Sequence, residues 1–147
     1  EGGDYASAEP LLRDAVRMRR KLLGNEHTDV ASSLTLLAAL LIETDRFDEA
    51  RSAAAEARAI CLPALGASHR RTAAATSAEG AALAGLGHTA DAEKLLLEGL
   101  SALRADPGAL PFVVDNAPRW TADYYRKQGK LQEAARYQAM LQGKRNR

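Results

Sequence analysis

Three histidines, one cysteine and a scatter of serines and aspartates are the side chains with which this 147-residue chain could do chemistry. A hydrolytic triad built on a strand-turn-helix elbow announces itself as Gly-x-Ser-x-Gly, and no such elbow occurs. A zinc site draws on His-x-x-x-His or Cys-x-x-Cys spacing, whereas His27, His69 and His88 stand apart and Cys61 is alone. Gly85 and Gly87 lack both the lysine of a phosphate loop and a dinucleotide fingerprint. No kinase catalytic motif is present. The sequence thus predicts no catalytic residue, no cofactor and no metal. What remains is a cationic and aromatic cluster, Arg119, Trp120, Arg126 and Lys127. It suits an acidic or aromatic ligand group through charge-assisted and stacking contacts. The alternative reading puts Trp120 in a terminal core, with Arg126 and Lys127 solvated near a helix C-terminus. The run Arg17-Met18-Arg19-Arg20-Lys21 reads as the exposed side of an amphipathic helix with a basic end.

The elements that must position these residues are helical. Ala and Leu make up about a third of the chain while Val, Ile and Phe are scarce, a bias toward helix formers. Aromatic residues are only 5%, so packing must rely on close helix approach at small residues such as Ala53, Ala54, Ala57, Ala81 and Ala82. Net charge is +1, which removes the electrostatic argument for nucleic acid, and the Lys144-Arg145-Asn146-Arg147 tail is too short to revive it. Apolar stretches such as Leu34 to Ile42 fall short of the roughly 18 residues a bilayer span needs. A lone cysteine favours a reducing, cytoplasmic setting.

Self-similarity is the strongest signal. Gly3-Asp4-Tyr5, Asp45-Arg46-Phe47, Gly87-His88-Thr89 and Gly129-Lys130-Leu131 recur every 42 residues. The same register aligns Ala8, Ala50, Ala92 and Ala134, and places Leu23-Gly24 and His27 over Leu65-Gly66 and His69. Within one period Val30, Leu34, Leu37, Ala38 and Leu41 share a helical face. After a break at Thr44-Asp45-Arg46, Phe47, Ala50, Ala54 and Ala57 share the next. Two helices per repeat follow, the first capped by Asp29 or Thr28 and the second closed by Gly66 with positive φ. The spacing predicts helices over 4–22, 29–44, 47–64, 70–86, 89–104, a disturbed stretch from 112, and 131–142. Its units are 1–24, 25–66, 67–108 and a divergent 109–147.

These residues resemble the tetratricopeptide repeat, and the 42-residue period with Leu-Gly-x-x-His between helix pairs is similar to the kinesin light chain subtype. The match is strongest over the first two periods; Thr76 and Glu79 replace apolar residues in the third. Residues 122–137 are also similar to the last repeat of bacterial multidomain proteins such as serine/threonine kinases with C-terminal repeats. The resemblance implies an all-α, right-handed α-solenoid of about seven helices. It implies a non-catalytic module whose leading helices line a concave groove for a peptide or protein. By register the groove residues are Ser32, Thr35, Leu36, Ala39 and Glu43, then Ala74, Ser77, Ala78 and Ala81, then Asn116, Arg119, Trp120, Asp123 and Lys127. The favoured partner-binding set is Thr35, Ala39, Ser77, Ala81, Arg119, Trp120, Asp123 and Lys127. Thr35-Leu36 and Ser77-Ala78 stand where carboxylate-clamping members carry Asn and Lys or Arg. A structural spacer or self-association element is the alternative.

Two features strain the pattern. Pro118 falls inside the helix that periodicity would start near Phe112, which predicts a short turn at Phe112 to Val114 and a kink or fresh start capped by Asp115 or Asn116. Residues 1–23 supply only the second helix of a pair. That predicts apolar positions Leu12, Ala15 and Val16 partly uncovered and open to end-to-end association.

Overall fold

The computed structural model describes residues 4–106 and 111–145. Gly3 and the end of the basic tail lie outside the described residues. Seven helices follow one another: α1 (Tyr5–Leu23), α2 (Thr28–Glu43), α3 (Phe47–Leu65), α4 (Arg70–Gly85), α5 (Thr89–Ala105), α6 (Pro111–Lys127) and α7 (Leu131–Arg145). No strand occurs among the described residues. Consecutive helices pack as antiparallel hairpins. The leading helices α2, α4 and α6 also lie side by side, forming one layer, with α1, α3, α5 and α7 behind it.

The hairpin junctions show why the 42-residue punctuation exists. Gly24 and Gly66 hold φ of 90° and 86° with ψ of 164°, a region open essentially to glycine alone. The caps differ from expectation: His27 and His69 are themselves the N-caps. Each ring Nδ1 accepts a backbone N–H at 3.1 Å, from Asp29 and Arg71 respectively. Thr28 and Asp29 already lie inside α2, and both accept from the Arg71 guanidinium of α4 at 3.1 Å. The repeated histidine is therefore a helix-starting device. His88, one period after Arg46, begins α5 as Arg46 begins α3, in both cases without a side-chain cap.

A continuous core runs from Val16 through Leu34, Leu41, Ala54, Ala82 and Leu96 to Trp120 and Ala134. Its small residues allow backbones to approach closely. A Cβ on Gly99 would lie 2.2 Å from Ser77 Oγ, and one on Gly80 2.9 Å from the Leu96 amide. Thr76 is accommodated because its hydroxyl donates to Thr72 O at 2.8 Å. Glu79 faces Arg58 of α3 at 3.5 Å.

α6 corrects the expectation at Pro118. The helix is unbroken from Pro111 to Lys127, so no fresh start is capped by Asp115 or Asn116. An interior proline costs about 3 kcal/mol. Breaking the helix there would misplace Ala117, Trp120, Thr121, Tyr124 and Tyr125, all buried, and each large buried side chain contributes about 1.5–3 kcal/mol. The aromatic packing wins. Tyr125 stacks on Tyr137 at 5.4 Å and donates to Glu93 at 2.7 Å; burial, reinforced by Glu93, pushes its phenol well above the usual range. Val16 is also corrected. It is only 5% exposed, packed with Leu34, Leu37 and Leu41, while Leu11, Met18 and Leu22 form the open apolar face of α1.

Candidate functional site

The leading helices expose a trench whose floor is α4 and whose walls are α2 and α6. The floor is low because α4 presents Ala74, Ala81, Ala84 and Gly85. Toward the N-terminal ends of these helices lies a narrow dimple, about 30 Å³, lined by Thr35, Leu36, Ala39, Ala74, Ser77, Asn116 and Trp120. Toward their C-terminal ends lies a wider cleft of about 190 Å³, where Glu43, Asp45, Arg119, Asp123 and Lys127 surround Ile42, Phe47, Ala81 and Trp120.

The trench brings together residues that periodicity placed on one face across three repeats. Within it their roles differ. Leu36 is 43% exposed and offers the largest accessible apolar contact. Thr35 Oγ1 donates to Ala31 O at 2.9 Å, so its hydroxyl is already engaged by its own helix. Ser77 is 1% exposed, and its hydroxyl points to α5 at Gly99 rather than into the trench. Ala78 is fully buried and Ala81 is 7% exposed, so α4 contributes shape more than contacts. Trp120 is 7% exposed: it belongs to the core, and its edge separates dimple from cleft. Its indole N–H is buried without a hydrogen-bond partner.

The charged rim is partly self-satisfied. Arg119 donates to Glu43 at 2.5 Å and to Asn116 Oδ1 at 3.1 Å. Arg126 pairs with Asp123 on its own helix at 2.5 Å. Lys127 is exposed with no ion-pair partner among the described residues, and so is the cation of the cluster available to a ligand.

On the opposite side, α1 and α3 flank a cleft of about 690 Å³ with an apolar floor of Val16, Leu34, Leu37, Leu41 and Ala53. Ion pairs bridge it: Arg13 to Glu49 at 2.9 Å, Arg46 to Glu9 at 2.7 Å, and Arg20 to Glu56. Arg19 donates to Asp29 O at 2.9 Å and Ser33 Oγ at 3.0 Å. Within the basic run of α1, Arg19 and Arg20 are thus inter-helix ties, a role that sequence reasoning missed, while Arg17 pairs with Asp14 of its own helix. Opposite charges 36 to 37 residues apart, Arg13 with Glu49, Arg20 with Glu56 and Glu9 with Arg46, were the available signal.

Among the described residues no three His, Cys, Asp or Glu side chains gather as a metal-holding group. Cys61 is buried, and burial raises its thiol pKa. No helix of the described residues is long and apolar enough to cross a membrane.

Known proteins agree with this architecture. Residues 1–62 match the tetratricopeptide repeat family. The fold of BtubC (BKLC) from P. vanneervenii superimposes with a TM-score of 0.68 at 18% identity, covering 95% of this chain and 58% of that one. A kinesin light chain-like protein of Podosopora anserina, with nearly identical TPR-like repeats, gives 0.64 at 22% identity, covering 96% and 66%. No curated protein matches the chain at a significant level. The chain is an all-α helical-repeat solenoid whose fold is similar to that of TPR-like repeat structures, and its first 62 residues carry the match to the tetratricopeptide repeat family. It spans 58% and 66% of the two solved relatives. Repeats of this family generally mediate protein–protein interaction and are typically non-catalytic.

Proposed function

We propose that the chain is a non-catalytic interaction module that receives an extended peptide or protein segment in the trench formed by α2, α4 and α6. The observation that carries this reading is the trench itself: small residues of α4 leave a continuous floor between exposed Leu36 at one end and unpaired Lys127 at the other. Thr35, Leu36, Ala39, Ala74 and Asn116 supply shape and apolar contact along the dimple. Lys127, with Arg119 and Asp123, supplies charge at the cleft, and Trp120 the wall between them. The unit boundaries 25–66, 67–108 and 109–147, a cytoplasmic setting, a place within a larger bacterial protein and the lack of enzymatic or nucleic-acid-binding activity belong to the same proposal. Near-neutral charge and buried Cys61 support them. The test is partner capture with the chain and with a Leu36→Glu/Lys127→Glu variant, whose substitutions are exposed and leave Glu43–Arg119 in place. Loss of the captured protein from the folded variant supports the trench; full retention refutes it.

One observation favours a second reading. Leu11, Met18 and Leu22 on the outer face of α1 are 70%, 61% and 73% exposed, an apolar stripe suited to self-association. A mass that rises with concentration and falls to monomer in Met18→Glu would support a self-associating spacer. A concentration-independent monomer would remove it.

A further inference from the structure

One contact on the trench side is not required by repeat packing. Glu43 ends α2, and Arg119 lies at the middle of α6, 76 residues away, with α4 between them. The backbones of α2 and α6 do not pack on each other; each packs on α4. Yet the Arg119 guanidinium reaches over α4 to donate to Glu43 at 2.5 Å. It can do so because Ala81, Ala84 and Gly85 raise no side chain between the walls of the cleft. Asn116 Oδ1, accepting at 3.1 Å from the same guanidinium, aims it along this path. The neighbouring carboxylate, Asp123, is engaged by Arg126 instead.

We propose that Glu43–Arg119 is a brace that sets the curvature of the solenoid. In a repeat stack each unit contacts only its neighbours, and curvature accumulates from small rotations per repeat. A link between units two periods apart constrains that sum directly. With the brace closed, α6 and its partner α7 are held toward α2 and the trench is narrow. With it open, α6 and α7 swing outward and the trench widens. The pair is partly exposed, with side chains at 38% and 27%, so salt reaches it and the equilibrium is tunable.

The test is a pulsed electron–electron distance measurement, independent of any ligand. Spin labels are placed by Asp48→Cys and Gln132→Cys, exposed positions two periods apart in the first turns of α3 and α7; Cys61 is buried and escapes labelling of the folded chain. The expected result is a mean distance longer by a few ångströms, with a broader distribution, in both Glu43→Gln and Arg119→Gln. The closed-to-open ratio falls by about two- to five-fold. Raising salt toward 1 M, which shortens the screening length from about 10 to about 3 Å, moves the parent the same way and leaves the variants unmoved. The exchanged pair Glu43→Arg/Arg119→Glu restores the short distance. Unchanged distances in Glu43→Gln, which keeps the Arg119 stem in its packing, or a folded exchanged pair that stays open, would overturn the brace.

Discussion

Gly99→Ala tests whether close backbone approach holds the solenoid together. The added Cβ would lie 2.2 Å from Ser77 Oγ, 2.8 Å from the Ala73 carbonyl oxygen and 2.9 Å from the Ser77 amide. The serine hydroxyl can rotate away, but the two backbone atoms cannot, so α4 and α5 must separate. Overpacking of this kind costs about 1–3 kcal/mol, against which alanine's advantage over glycine as a helix former offsets roughly 1 kcal/mol. The net expectation is destabilisation by up to about 2 kcal/mol, a fall of up to roughly 8 °C in Tm for a chain of this size. Thermal unfolding followed by circular dichroism measures it. Ser77→Ala in the same background should recover only part of the loss, because the backbone contacts remain. A variant at or above the parent Tm would show that helix propensity outweighs the crossing, and the close-packing argument would fail.

Other expectations follow from single contacts. His27→Ala and His69→Ala each remove a side-chain cap and should each lower stability by about 1 kcal/mol in denaturant melts; an unchanged midpoint in both would deny the histidines their capping role. Pro118→Ala restores a helix donor inside α6 and should stabilise by about 1–3 kcal/mol, whereas a loss would mean that the buried ring is worth more than the missing hydrogen bond. Arg13 and Arg46 hold the Glu9 and Glu49 carboxyls below their ordinary pKa. Because these folded-state values are depressed, the contribution of the pairs is present at neutral pH and lost as pH falls through the carboxylate range. Hydrogen exchange in α1 should therefore accelerate on acidification beyond the intrinsic effect of pH, and Arg13→Gln/Arg46→Gln should remove that excess.

Much of the fold was legible because each repeat writes its own punctuation. Leu-Gly-x-x-His fixes where α1 and α3 end and where α2 and α4 begin, and helical spacing within 29–44 and 47–64 needs no tertiary knowledge. Register also brought Thr35, Leu36, Ala74, Asn116 and Trp120 to one concavity, since equivalent positions of a solenoid share a face. What escaped depends on how helices sit against one another. Ser77 shares the register of the trench, but the α4–α5 crossing at Gly99 turns its hydroxyl away. Asp29 has the chemistry of a cap, yet the leading helix of the next repeat brings Arg71 to it and leaves capping to His27. Pro118 looked like a break because local propensity ignores the buried aromatics on either side of it. Glu43 and Arg119, far apart in sequence and on non-adjacent helices, meet only through the accumulated curvature of three repeats.

The central claim is that the trench, and not the back of the solenoid, receives the partner. A photo-crosslinking side chain at position 36, in the trench, and another at position 97, on exposed Leu97 of α5, test it most directly under identical conditions. The account predicts a discrete protein adduct from position 36 that disappears when Lys127→Glu is added, and none from position 97. Equal adducts from both positions, or an adduct at 36 indifferent to Lys127→Glu, would contradict it.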